Sequence, residues 1–258
     1  MPHHIIVSIK SIVSGPPDGL VHHSQETGEM NIFDRPVLEA ALRIREEIGG
    51  SITAMTMGPE ASKYVLFEAM SMGVDRSVLI SDPALAGSDT LATSTVLAAG
   101  VSKLPPADLM LFGLRTSDSD TGHVGPQVSV LLGLPLITGV RTIGFMENGL
   151  KVLRIIDGFE ESFEVFYPAV LTIHPKEFQP RDAGLAGIES AFVDDEIEIW
   201  DLSRLGLSPD RVGDPGSGTR VQAIKTLEME RSCEVLSGEM EEQADELVNR
   251  LMTSGLIG

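Results

Sequence analysis

Between Gly113 and Gln127 the chain reads Gly-Leu-Arg-Thr-Ser-Asp-Ser-Asp-Thr-Gly-His-Val-Gly-Pro-Gln, a loop rich in glycine, hydroxyl groups and carboxylates. Leu109 to Phe112 before it have the length and composition of a buried parallel strand. After it, Gly125-Pro126 opens an apolar helix running on through Val128 to Leu132, with proline tolerated in the first turn. Unpaired N–H groups and the positive end of a helix dipole converge at such a place, and together they bind anions. The donors to a phosphate are the N–H groups around Gly122, His123, Val124, Gly125 and Gln127, with Thr121 and His123 adding side chains. Asp118 and Asp120 would repel a phosphate; they either accept ribose hydroxyls or cap the loop's own N–H groups, and both readings stay open. The bland alternative is an ordinary strand-to-helix turn with an Asx cap. The loop is longer than a plain connection requires, which favours a ligand.

The elements that must position this loop alternate. A strand at His4 to Ile9 is followed by a long Gly-, Pro- and His-rich loop from Ser11 to Asn31, then by a helix over Arg35 to Ile48 with Asp34 as N-cap and Val37, Ala41, Ile44 and Ile48 as its buried stripe. His22 and His23 in that loop have no partner at metal spacing. A strand at Ile52 to Met57, a helix over Glu60 to Met72, a strand at Ser77 to Ile80 and a helix over Thr90 to Lys103 capped by Asp89 or Ser88 complete the series. The expected fold is therefore α/β, with a doubly wound, mostly parallel sheet. Ligands in such sheets bind beyond the C-terminal strand ends, where Ser8, Met57 and the Gly113 to Gln127 loop lie. Strands at Val140 to Met146, Lys151 to Ile156 and Glu161 to Tyr167, separated by Asn148-Gly149 and Asp157-Gly158, predict an antiparallel meander; Ala169 to Ile173 returns to the main sheet. Beyond Pro175 regular structure thins out: Ile197 and Ile199 alternate with acids as in an edge strand, Gly213 to Gly218 reads as a flexible linker, and Glu239 to Thr253 is an acidic amphipathic helix that either packs on the parent domain or, the sharper reading after such a linker, docks on a second chain. Residues 1–188 are expected to form the nucleotide-binding domain and residues 189–258 an extension.

Much chemistry is missing. No Walker loop, no Gly-x-Gly-x-x-Gly after the first strand, no Gly-x-Ser-x-Gly and no His-Glu-x-x-His occurs, and the six histidines lack ligand spacing, so neither a catalytic side chain nor a metal site is expected. A protein that binds a reactive cofactor fits that absence better. The single cysteine, Cys233, excludes a disulfide framework and reads as an inert, partly buried thiol. A net charge of −19 argues against nucleic acid and anionic lipid. With no signal peptide and no apolar run of about 18 residues, the chain reads as soluble and cytoplasmic, without membrane insertion.

Taken together, the motifs resemble one family: the β subunits of electron transfer flavoproteins. Asp118-x-Asp120-Thr121-Gly122-His123-Val124-Gly125-Pro126 is similar to that family's adenine-nucleotide loop, with His123 in the usual glutamine's place. Met72-Gly73-Val74-Asp75-Arg76, Asn31 ahead of the first helix, and Pro180-Arg181 with Ala183, Leu185 and Ile188 match further segments, the last being the loop whose leucine anchors the dehydrogenase partner. Ser81-Asp82 and Ala86-Gly87-Ser88-Asp89-Thr90-Leu91-Ala92-Thr93-Ser94 resemble the electron-bifurcating group. The resemblance implies an adenine nucleotide α-hydrolase-like fold, paired with an α subunit that carries a second FAD. It implies FAD here, held by Ser8, Asn31, Asp34, Met57, Asp89, Thr90, Thr93 and the Asp118 to Gln127 segment. It further implies NAD(H) as substrate, an acyl-CoA dehydrogenase as partner, and ferredoxin as the second acceptor in bifurcation. Two alternatives stand beside it. One is a non-bifurcating β subunit with structural AMP. The other is a nucleotide-binding stress or regulatory module, whose Gly-x-x-Gly-x(9)-Gly-Ser/Thr pattern is absent counting from Gly113.

Overall fold

The computed structural model describes residues 3–12, 28–194, 197–220, 222 and 233–257. His22, His23 and most of the first long loop lie outside them. In chain order the elements are β1 (His4–Ser8), β2 (Ser11–Ile12), β3 (Glu29–Met30), α1 (Arg35–Ile48), β4 (Ser51–Met57), α2 (Lys63–Met72), β5 (Arg76–Ile80), α3 (Thr90–Val101), β6 (Leu109–Gly113) and α4 (Val124–Leu132). They continue with β7 (Leu136–Met146), β8 (Gly149–Ile156), β9 (Phe159–Phe166), β10 (Ala169–Ile173), α5 (Leu185–Asp194), β11 (Ile197–Trp200), α6 (Leu202–Leu205), α7 (Gly213–Gly216) and α8 (Met240–Thr253).

Among the described residues one sheet runs β11-β5-β4-β1-β6-β10-β7-β8-β9, parallel from β11 to β7 and antiparallel from there outward. Its parallel strands are apolar on both sides because helices cover both faces. Ile5, Val7, Leu109, Leu111 and Leu171 pack against α1 and α2, while Ile6, Met110, Phe112 and Val170 pack with α3, α4 and α6. The chain lays β4 and β5 to one side of β1, then crosses back to lay β6 and β10 on the other. The order of winding thus reverses between β1 and β6, which opens a crevice at their C-terminal ends.

The meander forms as read, and its second turn has the type I′ geometry that Asp-Gly favours, with Asp157 and Gly158 both at positive φ (50° and 82°); the first turn is instead Glu147-Asn148, with Gly149 already paired in β8. Strand β7 does double duty. Its first half extends the parallel sheet beside β10, and after a register shift its second half pairs antiparallel with β8.

Four expectations need correction. Asp34 precedes α1 but makes no side-chain cap; its carboxylate turns inward instead. Helix α5 was not foreseen, because its exposed apolar residues break the expected one-faced pattern. The segment from Gly213 to Gly218 is not a loose linker. It forms a turn of helix seated on the loop before α3, with the Gly213 N–H donating to Ser88 Oγ (3.0 Å) and the Asp214 N–H to the Ala86 carbonyl (2.9 Å). Cys233 is exposed, not partly buried.

Residues 1–222 make one compact unit, in which β11 closes an edge of the main sheet beside β5. Residues 223–258 make a second, whose α8 starts with a reciprocal capping box between Glu239 and Glu242. Among the described residues no helix is long and apolar enough to cross a membrane.

Candidate functional site

The crevice between β1 and β6 gathers most of the residues singled out from sequence. Ser8 ends β1, Met57 ends β4, and Gly113 ends β6 and starts the long loop. Asn31, fully buried, brackets that loop. Its Nδ2 donates to the Arg115 carbonyl (3.1 Å) and its Oδ1 accepts the Ser117 N–H (3.2 Å), while its own N–H bonds the Lys10 carbonyl (2.9 Å). One residue, through its main chain and its side chain, therefore ties the ends of β1 and β6 together.

Asp34 lies beneath this bracket, 3% exposed, with Oδ2 accepting the Lys10 N–H at 2.7 Å. A Cβ on Gly113 would stand 2.2 Å from Asp34 Oδ1, so glycine is what allows the strand end to pass over the carboxylate. Burial raises the Asp34 carboxyl to about 7; the Lys10 N–H, Asn31 and the Lys10 ammonium oppose that rise, and Asp118 adds to it.

The loop carries its own ties. Asp118 Oδ2 pairs with Lys10 Nζ at 2.6 Å and its Oδ1 accepts the Ser119 N–H at 2.7 Å. Partial burial pushes the Asp118 carboxyl up, but the Lys10 ammonium and the loop's donors outweigh it and leave the group below its ordinary value. Asp120 differs. It adopts positive φ (50°), which aspartate tolerates better than most residues, and it is exposed at the rim, its only ion-pair partner among the described residues being Arg115 at 3.4 Å. Arg115 in turn lies over the Phe33 ring, 5.0 Å from its centroid.

Thr121, Gly122 and His123 lead into α4, and Gly122 again has positive φ (61°). The first turn of a helix leaves its N–H groups without intrahelical partners. Pro126 has none to offer and the Gln127 N–H is returned to the His123 carbonyl (2.9 Å), so Val124 and Gly125 supply the open donors. Gly125 also lets α4 sit close on the sheet: a Cβ there would come within 3.2 Å of Thr172 Cγ2 and of Phe112.

Helix α3 presents its N-terminus alongside. Ser94 Oγ donates to Gln127 Oε1 (2.9 Å), Gln127 Nε2 reaches Thr90 Oγ1 (3.4 Å), and Thr93 lies in the same first turn. Two helix N-termini thus meet at one edge of the sheet, a strong setting for a polyanion. Asp89 is already engaged. Its Oδ1 caps the Ala92 N–H, and its Oδ2 accepts the Gly218 and Thr219 N–H groups and the Thr219 hydroxyl.

Sequence reasoning missed three contributors. Lys10 neutralises Asp118, Gly113 makes room for Asp34, and Ser94 joins the two helices. Lys10 had a visible signal, as the first polar side chain after a buried strand; the other two depend on packing.

Among the described residues no group of histidine, cysteine and carboxylate is arranged for a metal ion. The arrangement suits a ligand with a polyphosphate and a hydroxylated sugar: backbone donors in the first turn of α4, the Thr90 hydroxyl at the start of α3, and carboxylates at the rim.

Comparison with known proteins agrees with this geometry. Residues 19–198 match the electron transfer flavoprotein domain. The chain is 35% identical to the electron transfer flavoprotein subunit beta of Thermoanaerobacterium thermosaccharolyticum over 88% of its own length and 87% of that protein. It is 36% identical to the caffeyl-CoA reductase-Etf complex subunit CarD of Acetobacterium woodii, over 88% and 87%. It is 32% identical to the acryloyl-CoA reductase electron transfer subunit gamma of Anaerotignum propionicum, over 93% and 92%. With the family's domain matched over residues 19–198 and relatives matched over most of their length, the chain belongs to the electron transfer flavoprotein family, as a member of the β-subunit type.

Proposed function

We propose that this chain is the β subunit of a heterodimeric electron transfer flavoprotein whose β-type site holds FAD. By this reading the flavin exchanges electrons with NAD(H) and passes them, through the FAD of the α subunit, to or from an acyl-CoA dehydrogenase. Ferredoxin takes the other electron if the complex bifurcates. The single observation that carries the proposal is the meeting of the α3 and α4 N-termini over the switch between β1 and β6. The relatives named for caffeyl-CoA and acryloyl-CoA reductase systems support an acyl-CoA-linked partner.

In this assignment the chain's own residues bind and orient. The Val124 and Gly125 N–H groups take the phosphates, Asn31 and Lys10 hold the loop closed behind them, and Asp120 accepts a sugar hydroxyl at the rim. FAD held by these residues would supply the redox chemistry, two-electron exchange with NAD(H) and one-electron transfer onward.

The test is to co-express the chain with its α subunit and identify the released nucleotides by mass spectrometry. Two FAD per heterodimer is the expected result. One FAD with one AMP overturns it in favour of structural AMP, and ATP without flavin overturns any redox reading.

Replacing Asp120 by glycine keeps the positive φ while removing the carboxylate. It is expected to weaken nucleotide retention about tenfold, the loss of one hydrogen bond to a charged group. The circular dichroism spectrum should not change. Unaltered retention would make Asp120 only the partner of Arg115.

A further inference from the structure

Glu39 is a buried carboxylate outside the nucleotide crevice. It lies on α1, one turn beyond the start of the helix, and its side chain is 4% exposed. A buried charge persists only when it is paired and hydrogen-bonded. Glu39 receives four donors: Arg181 Nε at 2.8 Å and Arg43 Nε at 2.7 Å, then Arg181 Nη2 and the Arg181 backbone N–H, both at 3.2 Å. The remaining guanidinium nitrogen, Arg181 Nη1, reaches Glu46 at 2.6 Å, one heptad further along α1. Arg181 is therefore held in both its main chain and its side chain, by a planar two-point contact that lysine could not reproduce.

The segment after Arg181 gives the clamp a use. Four residues on, Leu185 begins α5 and is 87% exposed. Ile188, Phe192 and Val193 leave the same helix partly or largely in solvent. The body of α5 is held from its other side. Gly187 approaches α2 so closely that a Cβ would meet the Ser71 carbonyl at 2.4 Å, and Phe192 stacks on Phe67 with centroids 4.7 Å apart. An apolar anchor on a frame fixed at both sides docks without the cost of ordering a loop.

We infer that Glu39 is a positioning residue for the partner-docking surface: through Arg181 it fixes the segment that presents Leu185. This rests on the proposed dehydrogenase partnership. The partner it fits offers an apolar socket for Leu185 and Ile188, the exposed apolar side chains at the start of α5.

The experiment uses the full-length chain in its heterodimer, with an acyl-CoA dehydrogenase as electron partner, and compares Glu39→Gln, Arg181→Lys, the double variant and Leu185→Ala. Glu39→Gln and Arg181→Lys should each raise the KM for the dehydrogenase about tenfold with kcat within twofold, the signature of lost preorganisation rather than lost chemistry. The double variant should be no worse than the poorer single one, because both act through one contact. Nucleotide content should stay at the wild-type level in all four. Without any partner present, hydrogen exchange at 181–185 should accelerate at least tenfold in Glu39→Gln. If Leu185→Ala raises KM while Arg181→Lys and Glu39→Gln leave it within twofold, the clamp is refuted and the docking reading survives. If Leu185→Ala has no effect either, the docking reading falls and takes the inference with it. Lysine keeps a positive charge opposite the buried Glu39, so Arg181→Lys decides the matter even if Glu39→Gln folds poorly.

Discussion

Replacing Gly113 by valine is expected to strip the chain of its nucleotide, with occupancy after purification falling below about a tenth of the wild-type level. The reason is steric. A Cβ at residue 113 would stand 2.2 Å from Asp34 Oδ1, with the Phe33 and Arg115 carbonyls 3.3 and 3.4 Å away. Asp34 cannot simply swing aside, because it is 3% exposed and accepts the Lys10 N–H. Forcing a side chain into a filled site costs about 1–3 kcal/mol. Leaving the Lys10 N–H unpaired adds roughly 1–3 kcal/mol. A loss near the middle of that combined range, about 4 kcal/mol, lowers the melting temperature by roughly 8–16 °C. The nucleotide suffers more than the fold, since the strand end that moves is the one from which the Gly113 to Gln127 loop hangs. Gly184→Val is the control, because a Cβ there meets nothing within 4 Å. A Gly113→Val chain that keeps its nucleotide would show that the passage of β6 over Asp34 does not shape the site.

The second large effect belongs to Asp34 itself. Asp34→Asn should stabilise the nucleotide-free chain at pH 8 and change it little near pH 4. In the folded chain burial raises this carboxyl to about 7, against an ordinary value of 3.8. Between those values the folded chain keeps a proton that the unfolded chain has released. Stability of the wild type therefore declines as pH rises from about 4 to about 7 and is flat above that. Three pH units set a ceiling of about 4 kcal/mol, or a difference on the order of 10 °C in melting temperature at pH 8. Asparagine keeps an acceptor for the Lys10 N–H and has no charge to desolvate. The neighbouring charges, Lys10 lowering and Asp118 raising the Asp34 carboxyl, stay in place in the variant. Thermal melts of both proteins from pH 4 to pH 8 provide the check. A gap between them that does not vary with pH would mean that the carboxyl is not buried in its charged form.

How much of this was legible in the sequence depended on how local the cause was. The parallel sheet, the meander and the edge strand at Ile197 arise from apolar runs and from the Asp157-Gly158 turn, all local signals. The long loop before α4 could be picked out because glycine, proline and hydroxyl residues act on the backbone beside them. The behaviour of Asp34 could not. As sequence it is a normal N-cap, and only the approach of Lys10 and Gly113 turns it inward. The clamp between Glu39 and Arg181 joins residues 142 positions apart, and the periodicity of α1 marks residue 39 only as one more helical position. The segment from Gly213 to Gly218 misled because its glycines suggest freedom. Gly213 instead has φ of +60° and sits where a Cβ would meet the Ala84 carbonyl at 2.0 Å, so its glycine serves close contact. In α5, exposed Leu185, Phe192 and Val193 blur the one-faced pattern that identifies helices packed only against their own core.

The roles proposed for the loop, its bracket and its rim all require a nucleotide across the ends of β1 and β6, with its phosphates on the first turn of α4. The crystal structure of the heterodimer purified with its own cofactors tests this most directly. Phosphate oxygens are expected within hydrogen-bond distance of the Val124 and Gly125 N–H groups, and the sugar beside Asp120. A nucleotide bound elsewhere on the chain, with the first turn of α4 facing only solvent, would contradict it.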